Sequence, residues 1–411
     1  MTDVNVQEFT RVGPRPLGLH LGLAATSLAT SFASLPFVRD GKFPWVKELE
    51  PEAEKIARRL QEYEVAELVQ GLAFEGNTKV VGMISGIRKY HAHPYRRKPI
   101  SRPLIWSHGN VRLLDCAPKL AKKAPILFLV PSLINRAYIL DLMPGKSFVE
   151  ELANNGIRAI LVDWGEPGAE EREYDLKDYL EKILLAGVEE TRKLYPRAPL
   201  HVGGYCMGGT LAVALTQMLS QKPKSLITIA APWDFHEGLG QSARLFLSNE
   251  AIWDSVLKGF KEMPVDILQS FFASLDPNLC MNKFCLFDQM GEDTDRAREF
   301  VALEDWLNDG VPLSAPVARS CFQGWYGRND PVMGNWEVGS EKICPENITI
   351  PSMIVVPKSD RIVPPNSAIA LSRQLPEAEV QMSGTGHIGM MVGSSAKGGL
   401  WLDVIAWIGK F

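Results

Sequence analysis

The fold is decided by the stretch LHVGGYCMGG, residues 200–209. Its first five residues are typical of a buried strand, and the residues from Thr210 onward are typical of a helix. Between them lies Cys206 in the pattern Gly-x-Cys-x-Gly, which marks a sharp strand-to-helix turn with small neighbours around a nucleophile. The surrounding glycines favour this interpretation over a cysteine that merely packs in a turn. The stretch therefore predicts an activated thiol at the end of a strand.

Apolar runs and helical stretches alternate on both sides of this turn. We predict strands at 124–130, 158–163, 200–204, 225–230, 352–356 and 379–382, and helices at 147–155, 176–194, 210–219 and 400–408. Strands that are apolar on both faces and alternate with helices predict a parallel sheet that is covered on both sides. The expected fold class is α/β, of the α/β-hydrolase type.

Two further regions complete the expected architecture. A helical N-terminal extension is placed at residues 1–120, ahead of a catalytic domain at 121–411. The strand pattern stops after Pro232, and the helical, aromatic-rich segment at about 235–330 is expected to form a lid over the active site.

A catalytic cysteine requires a base and an acid that orients the base. In this fold the order along the chain is nucleophile, acid, histidine. Asp360 follows the strand at 352–356, and His387 follows the next strand. Because the carboxyl ends of parallel strands meet at one edge of the sheet, we predict that the two residues lie near Cys206. Three other histidines are rival bases, although none of them follows the acid: His108, His201 and His236.

The oxyanion of an acyl-transfer reaction needs backbone donors. The N–H of Met207, directly after the nucleophile, is one predicted donor, and an N–H near Ile134, after the first core strand, is the second. Asn135 and Arg136 are candidate substrate-binding residues, and Arg136 is equally consistent with a surface charge. A thiolate forms thioesters that retain acyl-transfer potential, so the cysteine favours transfer over hydrolysis.

Composition restricts the partners and the compartment. The net charge of −4 over 411 residues gives no reason to expect nucleic-acid binding, which needs a concentrated basic surface. The six cysteines show no CxxC spacing, so we expect reduced thiols in the cytoplasm. His91 and His93 lack carboxylate or thiol support nearby, so no metal site is predicted.

The segment 17–38 contains no charged residue. Leu17, Leu21, Ala24, Leu28 and Phe32 recur at helical spacing, and hydroxyl-bearing residues interrupt the apolar run. We expect a helix that packs on the protein's own core and does not span a membrane. Contact with an apolar surface is the alternative.

Several ordered blocks resemble the polyhydroxyalkanoate synthases. They are GYCMGG at 204–209, INRAYILDL at 134–142, VDWG at 162–165, APWDF at 231–235, DRIVP at 360–364 and GHI at 386–388. The resemblance covers the chain from about Pro125 to its end, apart from the insertion. It implies an acyltransferase that polymerises 3-hydroxyacyl-coenzyme A into a polyester and releases coenzyme A.

The resemblance also implies roles for individual residues. Cys206 would carry the growing chain as a thioester, His387 would deprotonate the thiol, and Asp360 would help to activate the incoming 3-hydroxyl. It implies no cofactor other than the coenzyme A of the substrate. A homodimer or a synthase partner subunit is an expected partner, and the 17–38 helix would contact a polyester granule.

Some positions depart from the synthase pattern. Arg361 stands where family members commonly have histidine, and Pro365 replaces the usual tryptophan. The residues after His387 read GMMVG instead of the typical Asn-Pro-Pro continuation. These departures keep a second hypothesis open, in which the protein hydrolyses the polyester, an ester or an acyl thioester. A third hypothesis is a non-catalytic granule or partner subunit.

Overall fold

The computed structural model describes residues 11–240, 244–245 and 247–411. The chain divides into two compact units. The first contains the described residues up to Arg96 together with Gln269–Asn308, and it is helical. The second contains Arg97–Leu268 and Asp309–Phe411, and it holds the central sheet.

The second unit is built around a sheet of eight strands within the described residues. In chain order they are β1 (Leu104–His108), β2 (Val111–Asp115), β3 (Ile126–Val130), β4 (Arg158–Asp163), β5 (Leu200–Tyr205), β6 (Leu226–Ile229), β7 (Ser352–Pro357) and β8 (Ala378–Ser383). The spatial order is β1-β2-β4-β3-β5-β6-β7-β8. Strands β1 and β2 pair antiparallel, as do β2 and β4, and the remaining pairs are parallel.

The helices of the described residues belong to both units. In chain order they are α1 (Leu17–Arg39), α2 (Glu50–Gln61), α3 (Val65–Ala92), α4 (Phe148–Asn154), α5 (Leu176–Asp178), α6 (Ala186–Leu194), α7 (Met207–Met218), α8 (Glu250–Phe260), α9 (Val265–Leu275), α10 (Leu279–Asp288), α11 (Asp295–Asn308), α12 (Ala315–Arg319), α13 (Pro365–Ser372), α14 (Gly389–Val392) and α15 (Leu402–Ile408). Three further segments are π-helical: Tyr179–Leu185, Ser320–Gly327 and Lys397–Trp401. Every residue of β3, β5 and β7 is buried, as a parallel sheet covered on both faces requires. The predicted α/β-hydrolase class is confirmed.

The boundary predicted at residue 120 differs from the structure. Strands β1 and β2 lie within the residues assigned to the helical extension, but they form a hairpin that extends the central sheet. The predicted lid at 235–330 is also divided, because Gln269–Asn308 belong to the first unit. The helical part of the chain ahead of the sheet therefore ends near residue 96.

Helix α1 is more exposed than expected. Of its residues, all of which the structure describes, only Ala24 is buried. The helix lies against α3, where a Cβ atom on Gly76 would come within 2.1 Å of Leu28 Cδ1. The expectation that the segment packs into the protein's own core is therefore wrong for most of its length. Within the described residues, α1 is the one helix long and apolar enough to cross a membrane. A signal sequence has the same features, and the expected absence of a membrane span stays a prediction.

Candidate active site

Cys206 lies on a strained turn between β5 and α7. Its φ of 56° and ψ of −131° are unusual for a residue with a side chain and cost roughly 1–3 kcal/mol. Two glycines make the turn possible by close approach. A Cβ atom on Gly204 would lie 2.2 Å from the backbone oxygen of Gly208, and one on Gly208 would lie 2.1 Å from that of Val130. The predicted strand–cysteine–helix context is therefore present.

The environment of Cys206 differs from that of other thiols in the chain. Cys206 is partly exposed and precedes the first residue of α7. The first backbone N–H groups of α7 carry a partial positive charge, and they lie next to the thiol. By contrast, burial raises the pKa of the Cys116, Cys280 and Cys321 thiols to about 12 each. These three side chains are therefore protonated at neutral pH.

His387 and Asp360 form a hydrogen-bonded pair beside the cysteine. Nδ1 of His387 lies 2.6 Å from Oδ2 of Asp360, and both residues are buried. The backbone N–H groups of Ile362 and Val363 donate to Oδ1 of Asp360 at 2.8 and 2.9 Å. Since a carboxylate accepts but cannot donate, this arrangement places a proton on Nδ1 of His387. The other ring nitrogen, Nε2, then remains for Cys206.

The protonation of His387 is controlled by its neighbours. Burial lowers its pKa, but the Cys206 charge, hydrogen bonds with Asp360 and Cys206, and the Asp360 charge outweigh that effect. The net result raises the pKa of His387 to about 10. His387 is therefore protonated at neutral pH, with the Asp360 carboxylate on one side of the ring and the Cys206 sulfur on the other.

The rival histidines have other partners. His108 Nε2 lies 2.9 Å from the Tyr174 hydroxyl, and His236 Nε2 lies 2.9 Å from the backbone oxygen of Tyr326. His201 is at the opposite end of β5 from Cys206, where its Nδ1 lies 2.8 Å from Ser225 Oγ. Burial and the charge of Lys224 lower the pKa of His201 to about 4. Of these four histidines, His387 is the one that contacts Cys206, and its role as the base stays a prediction.

The two predicted oxyanion donors belong to chain segments that meet beside the turn at Cys206. Met207 is the first residue of α7, so its N–H is among those that have no acceptor within the helix. The first turn of α7 packs on the end of β3, since a Cβ atom on Gly208 would also lie 2.5 Å from the Pro131 oxygen. The segment that begins at Pro131 leads to Ile134, whose backbone oxygen accepts from Val311 at 3.0 Å. This arrangement can accommodate a developing oxyanion between two chain segments.

The weaker substrate-binding candidates lie in the same segment. Asn135 forms an isolated bridge with Gly310. Arg136 contacts the carboxylates of Glu166 and Asp309, each at 3.3 Å. Its charge is therefore shared with two acidic groups, and its contact with a substrate phosphate stays a prediction.

Two tyrosines near the nucleophile were not predicted from the sequence. Burial, together with the charge of Cys206, raises the pKa of both Tyr205 and Tyr326 well above the usual value. The Tyr326 ring packs 5.1 Å from that of Phe235, measured between centroids. Tyr205 occupies the variable position of the Gly-x-Cys-x-Gly pattern, and Tyr326 lies in the aromatic-rich segment predicted as a lid. The aromatic content was the only sequence signal for Tyr326.

The histidines considered for a metal have backbone partners. His91 Nε2 lies 2.6 Å from the oxygen of Gly13, and His93 Nε2 lies 2.9 Å from that of Glu292. Within the part of the chain that the structure describes, no group of three or more histidine, cysteine or acidic side chains could hold a metal ion.

The chain is similar to a family of hydrolase-fold proteins and to several named polymerase subunits. The family described as alpha/beta hydrolase fold matches residues 125–394. A Haloferax mediterranei protein named poly(3-hydroxyalkanoate) polymerase subunit PhaC is 29% identical over 317 residues, which cover 75% of this chain and 63% of that protein. Proteins of the same name from Synechocystis sp. and Haloarcula marismortui are each 28% identical, over 74% and 69% of this chain and over 83% and 60% of their own lengths. The match thus spans less than two thirds of two of these three relatives.

Proposed function

The chain belongs to the α/β-hydrolase fold family, and we propose that it is an acyltransferase that polymerises 3-hydroxyacyl-coenzyme A into polyhydroxyalkanoate. The acyl chain would be carried as a thioester on Cys206, and coenzyme A would be released. The names of the relatives support this activity, since they are polymerase subunits that align over about three quarters of the chain.

One observation carries the proposal. The nucleophile position of a hydrolase fold holds a thiol, and that thiol faces a histidine whose raised pKa favours the thiolate–imidazolium pair. A cysteine thioester keeps the free energy needed to acylate a hydroxyl group, whereas a serine ester would make the same transfer less favourable. The site therefore suits transfer of an acyl group to an alcohol.

The first half-reaction follows from the geometry. Sγ of Cys206 attacks the thioester carbonyl carbon, and the C=O electron pair moves to the oxygen as the new C–S bond forms. The N–H groups of Met207 and Ile134 stabilise this oxyanion. When the intermediate collapses, the bond from carbon to the coenzyme A sulfur breaks, and His387 gives its proton to that sulfur. The acyl group is then attached to Cys206.

The second half-reaction elongates the chain. The 3-hydroxyl of another hydroxyacyl group attacks the Cys206 thioester and gives its proton to His387, so an ester bond forms and the C–S bond breaks. Asp360 would act on that hydroxyl through His387, because its oxygens already bind Nδ1 and two backbone N–H groups. No cofactor beyond the coenzyme A of the substrate is needed for either step.

The proposal extends to the partners and the location of the protein. The relatives are named as subunits, which supports a homodimer or a partner subunit. We propose a cytoplasmic enzyme that contacts its polyester granule through α1. In α1 the hydroxyls of Thr30, Ser31 and Ser34 donate to carbonyl oxygens of the same helix at 2.8, 2.7 and 3.2 Å. Such bonding lets hydroxyl-bearing residues enter an apolar phase without unpaired donors.

Turnover of 3-hydroxybutyryl-coenzyme A tests the proposed reaction. Free coenzyme A, soluble 3-hydroxybutyrate and polymer are measured in the same sample, and we expect coenzyme A and polymer to increase together. Cys206→Ala should abolish both products. Cys344→Ala, at another partly exposed thiol, is the matched control and should not change the rate. Release of soluble hydroxyacid without polymer would reject polymerisation and support the hydrolase alternative.

A further inference from the structure

The predicted base of the active site lies on a glycine-rich segment of the chain. His387 is part of SGTGHIG, residues 383–389, in which three of seven residues are glycine. Glycine-rich backbone loses more conformational entropy on ordering than other backbone. The contact with Asp360 fixes the Nδ1 edge of the imidazole, and a second contact, to the backbone oxygen of His387 itself, would restrict the direction in which the ring points.

Tyr205 supplies that second contact. Its hydroxyl donates to the backbone oxygen of His387 at 3.2 Å, across 182 positions of sequence. Its ring centroid lies 5.2 Å from that of the imidazole, with 33° between the ring planes. Tyr205 is itself buried at the end of β5, immediately before the nucleophile. One residue of the nucleophile turn thus touches both the backbone and the ring of the base.

We propose that Tyr205 is a positioning residue that keeps the imidazole of His387 aimed at Cys206. This inference rests on the proposed function, because it assigns a role within the same thioester chemistry. In this role Tyr205 acts through His387, which it contacts with its hydroxyl and its ring. Its position next to Cys206 means that the nucleophile and the base are attached to the same rigid strand end.

The tyrosine is suited to this role by its hydroxyl and its burial. Burial and the nearby negative groups raise the pKa of Tyr205 well above the usual value, so the hydroxyl remains a donor at every pH at which the protein is assayed. The carbonyl of His387 has this donor in a buried place, where an unpaired oxygen would be costly. The aromatic ring adds a contact of the kind that stabilises offset ring pairs.

Turnover by three variants tests the assignment. Tyr205→Phe removes the hydroxyl and keeps the ring, and we expect kcat to fall about 10-fold with KM unchanged. Tyr205→Leu removes both contacts and should lower kcat about 100-fold. The control is Tyr195→Phe, which removes a hydroxyl that donates to Asp115 at 2.7 Å near the amino end of β5, opposite the nucleophile turn. This variant should keep the wild-type kcat.

A second measurement does not depend on the substrate. The rate at which iodoacetamide alkylates Cys206 is followed against pH by peptide mass spectrometry. If Tyr205 positions the imidazolium beside the thiolate, Tyr205→Phe should lower this rate at neutral pH and shift its pH profile, whereas Tyr195→Phe should not. Wild-type alkylation profiles in both Tyr205 variants would overturn the proposal. If the wild type makes no polymer but its alkylation depends on Tyr205, the proposed function fails while the positioning role holds.

Discussion

Nδ1 of His387 lies 2.6 Å from Oδ2 of Asp360, although 27 positions separate the two residues in the sequence. The distance is that of a charge-assisted hydrogen bond, and both partners are buried, so water does not compete for it. The other carboxylate oxygen is held by two backbone N–H groups of the same turn. The carboxylate is thus fixed on one side by its own loop and orients the imidazole on the other.

Asp360→Asn should leave the fold intact but place the proton of His387 on the wrong ring nitrogen. The asparagine oxygen can still accept from Ile362 and Val363, which turns its NH2 group toward Nδ1 of His387. Two donors cannot face each other, so Nδ1 would lose its proton and Nε2 would gain one. We expect kcat to fall roughly 10³- to 10⁴-fold, as in other catalytic triads whose histidine is held in the wrong tautomer. Steady-state kinetics measure the loss, and an unchanged kcat would contradict the orienting role.

The raised pKa of His387 predicts a pH dependence. His387 gives a proton to the leaving sulfur in the proposed reaction, and its pKa is about 10. Coenzyme A release should therefore be maintained through neutral pH and decrease as the pH rises through about 10. Circular dichroism at each pH separates this decrease from unfolding.

The effect of Cys206 on the pKa of His387 can be tested by removing the thiol. Because the Cys206 charge and its hydrogen bond both raise the pKa of His387, Cys206→Ala should lower that pKa. Titration of the labelled imidazole by NMR measures the pKa of His387 in both proteins. His108 is the internal reference, because it lies in β1, the edge strand farthest from β8 in the sheet. A pKa of His387 that is equal in the two proteins would show that the thiol and the imidazole are not coupled.

The parallel core of the fold could be predicted because its strands are buried on both faces. β3, β4 and β7 are nearly continuous apolar runs, which is a strong signal in the sequence. β1 and β2 were missed because they are partly exposed and pair through a hairpin at Gly109 and Asn110. Helix 176–194 was predicted as one element, but periodicity could not reveal its π-helical middle.

The candidate site was predictable where chain order decides the chemistry. Cys206, Asp360 and His387 follow the order of the fold at the carboxyl ends of β5, β7 and β8. Tyr205 was not predicted as a partner of His387, because this contact depends on side-chain packing between distant parts of the chain. The burial of α1 was predicted wrongly, because the helical spacing of apolar residues indicates an apolar face but does not show what that face contacts.

Cys206→Ser tests the preference for a thiol. The hydroxyl is much harder to ionise than the thiol, so the thiolate–imidazolium pair is lost even though the side chains have similar shapes. We expect both coenzyme A release and polymer formation to fall more than 100-fold. The control is Cys344→Ser, a half-buried position with no role in the proposed chemistry. If Cys206→Ser formed as much polymer as the wild type, a thiol would not be required for acyl transfer in this protein.

Gly208→Ala should disrupt the nucleophile turn by steric overlap. The added Cβ would lie 2.1 Å from the backbone oxygen of Val130, and backbone cannot move aside as a side chain can. We expect a loss of about 3 kcal/mol in the free energy of unfolding, together with loss of activity. Gly240→Ala is the matched control, because among the residues that the structure describes no heavy atom beyond the chain neighbours lies within 4 Å of its added Cβ. Denaturant titration measures the free energy of unfolding of both variants. Equal values would contradict the expected steric overlap at residue 208.

The proposed granule contact depends on exposed apolar residues of α1. Leu21 and Phe37 are 39% and 56% exposed, so Leu21→Glu combined with Phe37→Glu should add two charges without opening a core. Placing a carboxylate in an apolar phase is costly, and we therefore expect co-sedimentation with polyhydroxybutyrate particles to fall at least 10-fold. Leu402→Glu, at a 46% exposed position of α15, adds a charge outside the helical unit and should not alter sedimentation. The initial rate of coenzyme A release from soluble substrate should be equal in all three proteins. If the α1 variant sediments like the wild type, the granule contact lies elsewhere on the chain, because two buried carboxylates could not leave an apolar interface unchanged.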